Sequence, residues 1–238
     1  MKLKDSVAVV TGASSGIGLE FARTLVAHQM QVFGLARRLD VMNELRAEIG
    51  ERFHPIRCDV RSEADVQSAF DAVLARAGRL DVLINNAGIG RFGDAAELEI
   101  EDWNVQMETN LRGVFLCSRA ATPQMRKQNE ETNFGGYIIN IASIAGLLGN
   151  PGLSAYNASK FGVRGFSESL MKEVRQDGIK VTCIYPGSVQ SAFSGQRESS
   201  TTNKMLPQDL AETLVHLLET RDNYLISELV MRPLRPRG

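Results

Sequence analysis

Cysteine is scarce in this chain: Cys58, Cys117 and Cys183 lie far apart, with no Cys-x-x-Cys pair. That pattern excludes a cysteine metal cage and a disulfide framework, and reads as reduced thiols in a cytoplasmic protein. Neither sign of charge prevails, since 27 Lys and Arg stand against 28 Asp and Glu. Such a balance gives no overall drive toward nucleic acid or an anionic membrane. Long apolar runs are missing as well. The first one, Val7–Val10, ends at Thr11-Gly12, too short for a signal-peptide core or a membrane span. A secreted or membrane-embedded protein is therefore not expected. His28, His54 and His216 make no metal-ligand spacing and accompany no Gly-x-Ser-x-Gly elbow. With 43% hydrophobic and 23% charged residues, the 238 residues suit one ordinary globular domain spanning 1–238.

What the chain does have is a regular exchange of two hydrophobic periods. Short apolar runs stand at Val7–Val10, Gln31–Ala36, Val82–Ile84, Tyr137–Ile141, Val181–Tyr185 and Leu225–Met231, with a weaker one at His54–Cys58. Lacking strict alternation, they predict strands buried on both faces, as parallel strands are. Helical spacing covers Ile17–His28, Val41–Ile49, Ser62–Ala77, Glu101–Arg126, Ser154–Gln176 and Gln208–Glu219. Ser62-Glu63-Ala64-Asp65 opens one of these as a capping-box-like start, with Asp in place of Glu or Gln. Gln128–Gly136 and Ser194–Leu206 read as irregular, the second polar and expected to form a mobile substrate loop. Strand–helix alternation along the whole chain predicts an α/β fold. Its expected form is a Rossmann-type, doubly wound parallel sheet of about seven strands with helices on both faces.

The first strand runs into Thr11-Gly12-Ala13-Ser14-Ser15-Gly16-Ile17-Gly18, where a helix begins. Glycine permits a tight turn and close backbone approach, and the free N–H groups of a helix start face an anion. Gly12, Ser14, Ser15, Gly16, Ile17 and Gly18 are thus the candidate cradle for a dinucleotide's phosphates. The second strand ends at Ala36, where an acid usually takes the adenosine ribose of NAD, and Arg37 and Arg38 follow. A guanidinium fork suits a 2′-phosphate, which favours NADP(H) over NAD(H). The alternative is a pair of solvated charges ahead of the next helix.

Further along stand Asp59-Val60, Asn85-Asn86-Ala87-Gly88, Asn110, Ser143, Tyr156-x-x-x-Lys160 and Pro186-Gly187. In this order, and with the glycine turn, they resemble the short-chain dehydrogenase/reductase family in its single-domain branch, over nearly the whole chain. The resemblance implies that Asp59 and Val60 flank the adenine, and that Asn86, Ala87 and Gly88 line the ribose side. It also implies that Pro186, Gly187, Val189 and Ser191 meet the nicotinamide half; Ser191 stands where the family commonly has Thr. A homodimer or homotetramer through helices 101–126 and 154–176 is implied too.

Tyr156 and Lys160, four apart in a predicted helix, project from one face. A phenol with its ordinary pKa of about 10 is a poor base at neutral pH, and a nearby ammonium should lower it toward a usable acid/base. Ser143, at the end of a predicted strand, is placed to hold a substrate oxygen. By resemblance, Lys160 also binds the nicotinamide ribose and Asn110 holds a water linking Lys160 to solvent. Family substrate segments place Phe92, Leu147, Leu148, Leu153 and Phe193 along an apolar wall, with Arg91 as the nearby candidate to pair with an anion. The expected activity is hydride transfer between NADP(H) and a carbonyl or alcohol. Two alternatives stand beside it: reduction of a 3-oxoacyl thioester, and a non-catalytic NADP(H) sensor. The chain end, Ile226 to Pro233, lacks the Gly-Gly common in relatives resembling acyl-carrier-protein reductases.

Overall fold

Four apolar residues in succession, Val7–Val10, make β1 (Val7–Thr11) a strand buried along its whole length. It belongs to a seven-stranded parallel sheet in this computed structural model, which describes residues 1–190 and 204–235. On one side of β1 lie β2 (Gln31–Ala36) and β3 (Phe53–Arg57). On the other lie β4 (Val82–Asn85), β5 (Gly136–Ile141), β6 (Ile179–Pro186) and β7 (Glu228–Met231). The order β3-β2-β1-β4-β5-β6-β7 reverses its winding between β1 and β4. In a doubly wound sheet the crevice above the carboxyl ends of two such strands is where ligands bind.

Alternate residues of β1 feed two separate cores. Ala8 and Val10 join one with Phe21 and Leu25 of α1 (Gly16–Ala27), Met42 of α2 (Leu39–Ile49) and Leu214 of α7 (Pro207–Leu218). Val7 and Val9 join the other with Phe70 of α3 (Glu63–Ala77), Met125 of α5 (Gly113–Thr132) and Leu170 of α6 (Ser154–Val174). The sheet is therefore covered on both faces, as its central strands, buried along their whole length, require. All three cysteines are buried and free.

Several boundaries differ from the sequence expectation. The predicted helix 101–126 is α4 (Ile100–Met107), a π-helical turn at Glu108–Arg112, and α5. Gln128–Gly136, expected to be irregular, instead continues α5 to Thr132 and starts β5 at Gly136. Its polar surface hides the reason: the Gln128 amide is buried, accepts the Leu80 N–H at 2.8 Å and donates to the Leu80 and Gly135 carbonyls. One polar side chain thus anchors the last helical turns without an apolar period. The final strand is shorter than Leu225–Met231, because the carbonyls of Ile226 and Ser227 are taken by Thr182 Oγ1 and the Cys183 N–H before regular pairing begins. At the start of α3, Ser62 Oγ accepts the Asp65 N–H as expected, but the Asp65 carboxylate accepts the Asp59 N–H and leaves the box open.

Candidate active site

The glycine turn is locked to the turn after β4. Thr11 Oγ1 accepts the N–H groups of Asn86 and Ala87, each at 3.0 Å, and Asn86 Nδ2 donates to the Thr11 carbonyl. Gly12 has φ +70°, and a Cβ there would stand 2.9 Å from the Ala87 Cα. A Cβ at Gly18 would run into Asn86 Nδ2 and the Gly12 carbonyl. Glycine at both positions lets two turns form one floor at the reversal point of the sheet. Thr11, which makes the joint, heads the glycine motif in the sequence but carries no assigned role there; its signal is a hydroxyl at the end of an otherwise apolar strand. At the start of α1, Ser15 makes no side-chain cap and the first turn carries no acid. Those N–H groups remain available to an anion, so the donor set fits a dinucleotide's phosphates.

Beside this turn, Arg37 and Arg38 are exposed at the end of β2, and Arg38 Nη2 donates to Ser14 Oγ at 3.1 Å. The turn and the two arginines therefore share one corner. Asp59 is gripped through both carboxylate oxygens by Arg61, with a shortest contact of 2.6 Å. Hydrogen bonds from Arg61 hold the carboxyl below its usual range against the opposing effect of burial, with a smaller pull from Arg37. Val60 is buried and packs on α5, where a Cβ at Gly113 would stand 2.9 Å from Val60 Cγ2.

Asn110, Ser143, Tyr156 and Lys160 converge from three places: the π-helical turn, the end of β5 and α6. The π-helical turn carries Asn110, whose Oδ1 accepts the Ile89 N–H at 2.8 Å while Nδ2 donates to the Ile89 carbonyl and Ser159 Oγ. Extra-wide turns of this kind recur at functional sites. A Cβ at Gly88 would lie 3.3 Å from Asn110 Oδ1 and 3.6 Å from Lys160 Nζ, which places both groups around that glycine. Lys160 is buried and its Nζ donates to the Ile141 carbonyl at 2.9 Å. No second hydrogen bond is made by this ammonium among the described residues, so its other donors fit a ribose diol. Burial lowers Lys160 to about 8.

Tyr156 is half-buried, with Lys160 Nζ 5.7 Å from its ring centre. Here the site departs from the expected lowering by the ammonium. Burial pushes the phenol up to about 12, opposed by a hydrogen bond with Ser143. Desolvation of the phenolate outweighs the other influences in the protein without cofactor. Ser143 Oγ also accepts the Ala145 N–H and donates to the Pro186 carbonyl at 3.5 Å, joining this cluster to the strand end that leads to Gly187. Gly187 donates its N–H to the Met231 carbonyl, and Val189 pairs with Met205. Residues 186–190 are thus fixed from two sides.

On the side where the substrate is expected, the Phe92 ring meets Tyr156 edge-on at 5.7 Å and remains 45% exposed. Gly93 donates to the Gly152 carbonyl, tying this segment to the one holding Leu147 and Leu153, both half-buried. Asn157, which the sequence reading missed, pins that second segment by donating to the Ala145 and Leu148 carbonyls at 2.6 Å each. Arg91 is already paired with Asp102 at 3.5 Å, which weakens its expected role as an anion partner. Ser191, Phe193 and most of the expected loop at 194–206 lie outside the described residues. Among the described residues, no helix is long and apolar enough to cross a membrane.

Residues 6–202 match the family described as short chain dehydrogenase. The human dehydrogenase/reductase SDR family member 11 is 34% identical over 250 residues, covering 97% of this chain and 95% of that protein. Two solved structures share the architecture. A 3-ketoacyl-(acyl-carrier-protein) reductase from Brucella melitensis complexed with NADH has a TM-score of 0.91 at 27% identity, covering 97% of this chain and 98% of that one. The closed form of serine dehydrogenase complexed with NADP+ has a TM-score of 0.91 at 29% identity, covering 98% and 96%. With a glycine turn at the sheet's reversal point and Asn110, Ser143, Tyr156 and Lys160 gathered beside it, the chain belongs to the short-chain dehydrogenase/reductase family of oxidoreductases.

Proposed function

We propose that the protein is an NADP(H)-dependent reductase of apolar carbonyl compounds, with Tyr156 as the general acid/base. The observation that carries this reading is the convergence of Ser143, Tyr156 and Lys160 on the edge of the crevice above β1 and β4. The nicotinamide, when bound, supplies or accepts the hydride. The chain's own residues manage the oxygen and its proton. Ser143 holds the substrate oxygen, and Tyr156, neutral at physiological pH because burial raises it, donates its proton as negative charge develops there. Lys160, lowered to about 8, is a stronger acid than the phenol it faces. Its ammonium, 5.7 Å from the Tyr156 ring centre, is the group that returns a proton to a newly formed phenolate.

Ala36, Arg37, Arg38 and Ser14 support NADP(H), since a 2′-phosphate meets guanidinium donors there and no strand-end acid. Phe92 and Leu148, both exposed at the mouth, support an apolar substrate. Buried, free thiols suit a cytoplasmic enzyme. Phe115 on α5 and Phe161 on α6, each 42% exposed, suit a homodimer or homotetramer built through these helices. The likeness to a 3-ketoacyl-(acyl-carrier-protein) reductase favours a second reading, in which the carbonyl belongs to a 3-oxoacyl thioester.

The test is oxidation of NADPH and NADH by purified protein across ketones, aldehydes, 3-oxo acids and 3-oxoacyl thioesters. Preference for NADPH with a free ketone or aldehyde supports the first reading. Turnover confined to thioesters selects the second. Tight NADPH binding without turnover of any of these carbonyls would contradict both and favour a sensor.

A further inference from the structure

We infer that Arg57, at the end of β3, is a third determinant of NADP(H) over NAD(H), joining Arg37 and Arg38 around the adenosine 2′-phosphate. This rests on the NADP(H) reading proposed above. In the parallel ladder of β2 and β3, Arg57 is the register partner of Ala36, and the Cys58 N–H donates to the Ala36 carbonyl at 3.0 Å. Register partners on neighbouring strands present side chains to the same face of a sheet, with the strands about 5 Å apart. The residue beside the position that selects the ribose is thus a third arginine, reached from a different strand.

The charges around this corner leave the three guanidinium groups short of partners. Arg37 and Arg57 are exposed and make no ion pair or side-chain hydrogen bond among the described residues, while Arg38 reaches only Ser14 Oγ. Two nearby acids, Asp59 and Asp65, are engaged elsewhere. Asp59 is held by Arg61 through both oxygens, and Asp65 accepts the Asp59 N–H and the Ser62 hydroxyl. Arg57 acts on Asp65, and Arg37 on Asp59, only through space. Asp40 in the first turn of α2 is exposed and unpaired. Three like charges at the carboxyl ends of adjacent strands repel one another until an anion enters. A phosphate monoester, carrying roughly −1.5 to −2 near neutral pH, offers the charge and the acceptor oxygens that such a cluster takes. The 2′-hydroxyl of NAD(H) offers neither. Arg57 is exposed and belongs to none of the hydrophobic clusters, so its removal is expected to leave the sheet intact.

The experiment is fluorescence titration of the full chain with NADPH and NADH, on wild type, Arg57→Ala and Arg38→Ala, with circular dichroism on each. Arg57→Ala is expected to weaken NADPH about tenfold, the loss of one charge-assisted contact, and to leave NADH within about twofold. If wild type prefers NADPH and Arg38→Ala abolishes the preference while Arg57→Ala leaves it intact, Arg57 is excluded and the NADP(H) reading stands. Equal weakening of both nucleotides by Arg57→Ala also overturns its role in selectivity. A wild type with no preference for NADPH overturns the NADP(H) reading and this inference together.

Discussion

Tyr156 and Lys160 are held by opposite consequences of the same burial. Desolvation penalises whichever form is charged, so it raises the phenol to about 12 and lowers the ammonium to about 8. At pH 7 the phenol is protonated and most Lys160 is charged, the state a reductase needs to deliver a proton. As pH rises through about 8, Lys160 loses its charge and the reserve behind Tyr156 empties. We expect kcat for carbonyl reduction to fall along that limb and the reverse oxidation to gain, as read from initial rates between pH 6 and 10. A reduction rate that climbs through this range would contradict the assignment. Lys160→Arg, which stays charged throughout, should remove the fall wherever it retains activity.

The joint between the β1–α1 turn and the turn after β4 depends on two missing side chains. Gly18→Ala would drive a methyl group against Asn86 Nδ2 and the Gly12 carbonyl. The overpacking should cost about 1–3 kcal/mol and lower Tm by several degrees, with weaker dinucleotide binding in titration. Along the β2–β3 edge, His54 Nε2 meets Gln31 Oε1 at 2.7 Å, and the ring lies 4.8 Å from Phe33. Burial, aided by Arg76 and Arg46, lowers His54 from 6.5 to about 4. The unfolded chain takes a proton near pH 6.5, whereas the folded one does not until about pH 4. His54 therefore contributes stability above its unfolded pKa that is lost as pH falls through this window, by up to about 3 kcal/mol. Urea melts of wild type and His54→Gln at pH 7 and pH 4.5 should differ by that acid-side loss; parallel shifts in both proteins would exclude it.

These elements also mark where sequence reading succeeds and stops. Mostly apolar runs identify β1, β2, β4, β5 and β6, because strands buried on both faces have no solvent side to impose a period of two. The same rule misses the end of α5, where the buried amide of Gln128 replaces an apolar contact. Nor does it reveal the π-helical turn that aims Asn110, since one extra residue in a helical turn leaves little trace in hydrophobic spacing. The motif residues were legible as a set. Their electrostatics were not: the effect of Lys160 on Tyr156 is argued easily from their spacing, but the competing burial depends on Phe92 and the surrounding loops. Arg91 reads as a free cation until Asp102 is seen beside it.

In the molecule as a whole, the reversal of the sheet between β1 and β4 brings widely separated segments to one crevice. Gly12 to Gly18, Asn86 to Gly88, Ser143 and the 186–190 segment all follow strands, while α6 delivers Tyr156 and Lys160 across them. The outward aromatic residues lie away from this architecture. Phe115 stacks edge-on with Phe166, and Arg119 lies 5.4 Å from its ring centre, yet the face stays open. Under the proposed assembly, wild type sediments as a dimer or tetramer and the double variant Phe115→Asp, Phe161→Asp as a smaller species. An unchanged sedimentation coefficient would place the interface elsewhere.

Whether Tyr156 delivers the proton in an NADPH-linked reduction is decided by comparing Tyr156→Phe with wild type on the best carbonyl substrate. NADPH affinity is measured on the same preparations. In the variant, kcat is expected to fall by about 10²–10⁴ while NADPH affinity stays within about twofold of wild type. A variant that binds NADPH and reduces the substrate at the wild-type rate would contradict proton delivery by Tyr156.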